Sequence, residues 1–196
     1  MQINAQNRLR ISLISLLILG VIYWKRKLLA NMALDTIHLF LGNTWDRHTD
    51  RRIGFLHPVI QERATAFINK AEKEHGIKLR ITSDGHFRSF EKQDELYAQG
   101  RSTFGKIVTH VKGGGSYHNY GLAVDVVEIK DGKALWNNPN WSKIGAIGKS
   151  LGFEWGGDWN GWKDKPHFQF TGGYSIAELK SKYFSGDKIG QFVNLA

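Results

Sequence analysis

The sequence predicts an α+β domain with an antiparallel sheet and flanking helices, preceded by an N-terminal hydrophobic helix. Three observations carry this. Amphipathic helical stretches and β-prone runs alternate without the regular spacing of βαβ units. The β-prone runs are short and bounded by Gly, Asn, Asp or Pro. An uncharged apolar segment stands ahead of all of them, between basic residues.

That segment, Ile11 to Trp24 (ISLISLLILGVIYW), has 14 residues. As a helix it spans roughly 21 Å at about 1.5 Å per residue, against a hydrocarbon core about 30 Å thick. Leu9 and the stems of Arg10 and Lys25 can lengthen it by snorkelling, and Tyr23 and Trp24 stand where an interfacial aromatic belt belongs. A cleaved signal peptide is the alternative, but Lys25-Arg26-Lys27 follows directly and no small-x-small site succeeds it. A buried core helix is opposed by the charges at both ends. The expectation is a membrane anchor through residues 11–24. Leu28, Leu29, Met32, Ala33, Ile37, Phe40 and Leu41 then recur at helical spacing, so residues 1–42 are assigned to the anchor and an amphipathic helix. Residues 43–54 (NTWDRHTDRRIG) are polar and aperiodic and are expected to be a linker.

Residues 55–196 form the expected domain. LHPVIQERATAFINKAEKEHG (56–76) has an apolar helical stripe closed by Gly76, and IKLRIT (77–82) alternates as a strand. SFEKQDELYAQG (89–100) opens on a Ser N-cap and closes on Gly100, and LAVDVVEI (122–129) is strongly β-prone. NWSKIGAIGKSLG (140–152) reads as a helix, FEWGG and HFQF as strands, and YSIAELKSKYF (174–184) as a last helix. No internal repeat appears.

Composition narrows the chemistry. With Trp 7, Phe 11 and Tyr 6 the chain can fill a core, and with Cys 0 it has neither disulfides nor thiolate chemistry. The net charge is +9, but Arg8, Arg10, Lys25, Arg26 and Lys27, with no acid among residues 1–30, flank the apolar segment. The domain is only mildly basic and shows no basic–aromatic stripe, so a nucleic-acid partner is not expected.

The segment SYHNYGLAVD, Ser116 to Asp125, sets His118 and Asp125 on either side of a glycine turn. Either both bind one metal ion, or Gly121 makes a turn and Asp125 caps it. A catalytic zinc takes three protein ligands and keeps a position for water, so a further ligand and a proton-handling carboxylate are needed. Among eight histidines, His38 and His48 lie outside the domain, and His57 and His75 mark helix ends and are expected at the surface. His86 and His110 fall in loops. His167, in DKPHFQF, enters a strand with Asp164 three residues earlier, and Pro166 makes the approach a turn. Taken alone, His167 also suits a structural role.

The pattern S-x-H-x-x-G-x-A-x-D followed by D-x-P-H-F resembles the zinc metallopeptidases that include D-alanyl-D-alanine carboxypeptidases and dipeptidases and L-alanyl-D-glutamate endopeptidases. The likeness runs from about Ile77 to Phe170 and includes ITSDGHFRSFEKQDELYAQGR. It implies the α+β fold of that family, shared with the hedgehog signalling domain. It also implies one zinc ion (Zn2+) held by His118, Asp125 and His167, Asp164 as general base, and Arg88 steadying the oxyanion. Ser116 matches a serine bordering the substrate, though it can equally cap the loop, and Gln93 recurs without an assignable chemistry. The chain departs from the family pattern at Asp84-Gly85-His86-Phe87, where glycine more often directly precedes the aromatic–arginine pair. No HExxH occurs, which excludes the helix-based zincin arrangement.

Aspartate at 164 and the D-x-P-H-F motif resemble the L-alanyl-D-glutamate endopeptidases, so the expected substrate is the peptidoglycan stem peptide. A D-alanyl-D-alanine carboxypeptidase is the alternative within the class, and a non-catalytic zinc-bearing wall-binding module the alternative outside it. The expected place of action is the cell envelope, with the domain outside the cytoplasm on its anchor, or secreted if the N-terminal segment is cleaved.

Overall fold

In a computed structural model of the chain, residues 23–26 and 43–196 are described. The expected anchor and amphipathic helix lie outside the described residues apart from 23–26, which are helical and exposed. No helix among the described residues is long and apolar enough to cross a membrane. The chain divides into the compact units Met1–Trp45 and Asp46–Ala196; the second carries the sheet, its helices and the site.

The segment expected as a linker contains helix α1 (Arg47–Ile53). Its stability comes from polar contacts that hydropathy does not register. Asp46, the N-cap, accepts from the Thr49 N–H at 3.1 Å and the Thr49 hydroxyl at 2.7 Å. Its carboxylate also takes Nε and Nη2 of Arg80 at 2.8 and 2.9 Å. Thr49 and Ile53 are buried beneath the helix.

Helix α2 (Pro58–His75) starts with proline at its first position, where no backbone donor is needed, and buries Ile60, Ala64, Phe67, Ile68 and Ala71. Its N-cap is His57, which is buried rather than at the surface as expected. Nδ1 accepts from the Val59 N–H at 3.2 Å while Nε2–H donates to the Val193 carbonyl at 3.0 Å. Both bonds require the neutral ring, and burial lowers its pKa accordingly.

The sheet is antiparallel throughout. Strands β1 (Leu79–Ile81), β2 (Ala123–Lys130), β3 (Lys133–Leu135), β4 (Glu154–Trp155) and β5 (His167–Gln169) run in the order β1-β2-β5-β4, with β3 also paired to β2. Helix α3 (Phe90–Ala98) follows β1, α4 (Trp141–Ser150) precedes β4, and α5 (Ile176–Ser185) follows β5. A small hairpin, β6 (Lys188–Ile189) and β7 (Phe192–Val193), closes the chain. The core lies between the sheet and helices α2 and α4. Phe67 of α2 meets Phe168 of β5 with ring centres 4.7 Å apart, and both are fully buried with Val124 and Val126. Each such side chain contributes about 1.5–3 kcal/mol relative to exposure. An α+β domain with an antiparallel sheet and helices is thus what the residues from Asp46 onward form.

Candidate metal centre and its cleft

Strand β2 alternates. Val124 and Val126 enter the core, so Asp125 faces the other way. Strand β5 does the same around Phe168, and the register pairs Asp125 directly with His167. Ahead of β2, Tyr117–Tyr120 form a single 3-10 turn closed by Gly121 at φ 70, a left-handed conformation that glycine adopts without strain. That turn brings His118 over the same pair. His118 Nε2 lies 3.1 Å from Asp125 Oδ1 and 3.2 Å from His167 Nδ1, and His167 Nδ1 lies 3.0 Å from Asp125 Oδ1. No other group of three or more such residues among the described ones could hold a metal ion.

The three atoms fit a zinc ion. Tetrahedral bonds of about 2.0–2.1 Å put ligand atoms about 3.3–3.4 Å apart, and this triangle is only slightly tighter. Two imidazole nitrogens and one carboxylate oxygen are also a donor set suited to zinc.

Each residue of the triangle is fixed from behind. His118 Nδ1–H donates to the His86 carbonyl at 2.9 Å, which leaves Nε2 unprotonated toward the triangle. His167 Nε2–H donates to Gln169 Oε1 at 3.0 Å. The Gln169 amide donates in turn to Glu154 Oε2 at 3.0 Å, and Thr171 Oγ1 donates to Glu154 Oε1 at 3.2 Å. Asp125 keeps Oδ1 for the triangle because Arg88 Nη2 donates to Oδ2 at 2.6 Å. Arg88 is itself held through Nε to the Asp84 carbonyl at 2.7 Å and Nη1 to Gln93 Oε1 at 3.1 Å. The expected oxyanion residue is therefore engaged with a ligand carboxylate.

Electrostatics follow from this packing. Burial pushes His118 down to about 4, against the pull of Asp125. Burial alone would raise Asp125, but the two histidines and Arg88 hold it well below the usual carboxylate range. His167 is raised by its bond to Asp125 despite burial. Asp164 is raised to about 6, first by burial and then by the Asp125 charge.

Asp164 lies beside the triangle without a place in it. Its backbone is closed onto Gly156, whose carbonyl accepts from the Asp164 N–H at 3.0 Å. Its side chain lines a cleft of about 230 Å³ together with the triad, Arg88, Ser116, Trp159 and Trp162. Ser116 is the N-cap of the 3-10 turn, its Oγ accepting from the His118 N–H at 3.3 Å, so it caps and borders the cleft at once. His86 contributes only its carbonyl to the site, and His110 stands on the cleft wall.

Gln93, Gln169 and Asn119 carry roles that sequence reasoning leaves unassigned. Gln93 is fully buried and joins Arg88 to the facing loop, donating to Thr109 Oγ1 and the Val111 carbonyl, each at 3.0 Å. Asn119 bonds the amides of Gly114 and Ser116 and the carbonyls of Arg88 and Ser89. The recurrence of Gln93 in the motif is the one signal that pointed here. At Gly85 a Cβ would meet the Asp125 carbonyl at 2.5 Å, so glycine one residue before His86 lets this loop close on the ligand strand.

A triangle able to hold a metal ion beside a half-buried carboxyl suits a metallopeptidase, and comparison with known proteins places the chain. A family model described as D-alanyl-D-alanine carboxypeptidase matches residues 109–170. The peptidoglycan L-alanyl-D-glutamate endopeptidase CwlK of Bacillus subtilis (strain 168) is 48% identical over 124 residues, covering 58% of this chain and 72% of that protein. The L-alanyl-D-glutamate peptidase of Listeria phage A118 is 48% identical over 59 residues, 29% of this chain and 21% of that protein. Among solved structures, the Serratia marcescens L-Ala D-Glu endopeptidase ChiX aligns with a TM-score of 0.47 and 25% identity, covering 64% of this chain and 87% of that one. The chain belongs to the M15 peptidases.

Proposed function

We propose that this chain is a zinc-dependent peptidoglycan endopeptidase that cuts the stem peptide between L-Ala and D-Glu. The observation that carries the reading is the His118, Asp125, His167 triangle with Asp164 in the same cleft. The names of the B. subtilis and phage relatives support the choice of bond. When bound, zinc supplies Lewis acidity, which polarises a carbonyl and acidifies water. His118, Asp125 and His167 would hold it. Asp164, half-buried at the side of the cleft, accepts the proton of the attacking water and returns it to the leaving amine. Three donors of Arg88 are engaged, leaving one hydrogen on each terminal nitrogen for the developing oxyanion. Such a base and zinc have no use in a module that only binds the wall.

The substrate lies outside the cytoplasmic membrane, so the domain is proposed to work there, tethered by residues 11–24. Digestion of purified peptidoglycan by the zinc-loaded chain, with mass analysis of the released termini, tests the reading. New C-terminal L-Ala and N-terminal D-Glu are expected. Release of free D-alanine alone would make the chain a carboxypeptidase instead, and no release would refute the enzyme.

A further inference from the structure

His110 and Trp162 meet in the lining of the cleft. Their ring centres are 4.3 Å apart and the planes stand at 77°, an edge-on contact between two different loops. Both rings line the cleft that holds the ligand triangle. Trp162 is 48% exposed, and neither ring makes a hydrogen bond within the described residues, so the contact can part without stranding a polar group.

Both sides of this bridge are tied to the metal centre. On one wall, Gln93 anchors the residues immediately before and after His110, through Thr109 Oγ1 and the Val111 carbonyl. Gln93 also accepts from Arg88, which holds Asp125. On the other wall, the loop carrying Trp162 is closed by the Asp164 N–H to Gly156 bond and by Lys163 Nζ on the Gly157 carbonyl at 3.1 Å. It sets Trp159 against His167, ring centres 5.1 Å apart with the planes tilted at 48°. The two loops thus lead back to different members of the triangle, one to Asp125 through Gln93 and Arg88, the other to His167 through Trp159.

With the bridge in place the cleft, about 230 Å³, is smaller than the roughly 300–1,000 Å³ of ordinary ligand pockets. A peptide seated over the His118, Asp125 and His167 triangle therefore comes against His110 and Trp162, which line the same cleft. From Leu96 to Val124 the segment carrying His110 has no acid of its own, while Arg101, Lys106 and Lys112 are present, and the neighbouring Asp94 is engaged by the Gly113 N–H at 2.8 Å. That favours an acidic residue of the substrate beside His110.

We propose that His110 and Trp162 form a substrate clamp that sets specificity. Trp162 lays its face on the peptide, and an imidazole N–H of His110 reads the free carboxylate of the glutamyl residue next to the scissile bond. This rests on the stem-peptide reading of the site.

The test is steady-state kinetics of the zinc-loaded full chain on a soluble stem peptide, in two forms: the glutamyl α-carboxylate free or amidated. Trp162→Ala is expected to raise KM about tenfold or more on both forms, as for loss of an anchoring aromatic, with kcat within about threefold and zinc content unchanged. Trp162→Phe should restore most of the loss. The wild type should prefer the free acid, and His110→Ala should remove that preference. Equal KM values for wild type and Trp162→Ala overturn the clamp, as does an acid preference that survives His110→Ala. If the wild type does not cleave either peptide, the stem-peptide reading fails and the clamp with it. Cleavage by the wild type with kinetically silent variants sinks the clamp alone.

Discussion

Replacing Arg88 by methionine separates two roles that the resemblance and the geometry assign to the same side chain. If Arg88 acted only on the oxyanion, its loss would lower turnover and leave the metal untouched. The structure instead joins Nη2 to Asp125 Oδ2 at 2.6 Å, with side chains 10% and 19% exposed. Breaking a buried ion pair by removing one partner costs about 3–5 kcal/mol; the partial exposure of Asp125 reduces this to about 2–3 kcal/mol. Loss of a partner that orients a metal ligand typically weakens the metal by about 10–100-fold, or about 1.4–2.8 kcal/mol at 1.4 kcal/mol per tenfold. The first is a loss of folding stability and the second a loss of metal affinity, and the two are read separately. Arg88→Met should therefore bind zinc about 10–100-fold more weakly in a competition titration against a chromophoric chelator. Arg88→Lys should fall between, since a point charge can meet Oδ2 but not also the Asp84 carbonyl and Gln93. Wild-type zinc affinity in Arg88→Met, with turnover lost, would refute the positioning role and leave Arg88 to the substrate alone.

Asp164→Asn should keep its zinc, because the carboxylate stands outside the ligand triangle, while kcat falls about 10²–10⁴-fold; zinc loss in this variant, measured by metal analysis, would make Asp164 a ligand. Asp46→Ala should cost about 2–4 kcal/mol in urea unfolding, from a lost N-cap and a broken pair with Arg80. Burial would raise the Asp46 pKa, but the Arg80 and Thr49 bonds bring it below the ordinary 3.8. Its contribution is then fully present above pH 3.8 and lost as pH falls through the lower folded value, so the gap between wild type and variant should close in strong acid. A gap that persists there would assign the loss to something other than this carboxylate.

The ligand residues are legible because few residue types bind zinc in a chain without cysteine, and because the glycine turn and the Pro166 turn advertise their own geometry. The network behind them is not. Gln93 works through Thr109 and Val111, Gln169 through Glu154, and His118 through a backbone carbonyl of residue 86. An amide side chain carries no pattern that names its partner, so these roles emerge only once the strands have paired. The same limit applies to the elements. The long amphipathic helices have a periodic apolar stripe, whereas β3, β6 and β7 are two or three residues long and too short to show alternation. Helix α1 escapes for the opposite reason, since its anchor is the Asp46–Arg80 pair rather than a stripe.

Core and site are consequently one design problem on β2 and β5. The alternation that sends Val124, Val126 and Phe168 into the core, all fully buried, turns Asp125 and His167 to the other face. A one-residue slip in either strand would turn the core residues toward the cleft and Asp125 or His167 toward the core. The register that lets the sheet pack against α2 and α4 is therefore the register that assembles the metal triangle. A variant that weakened the Phe67–Phe168 contact would be expected to lose metal affinity and stability together, without touching a ligand.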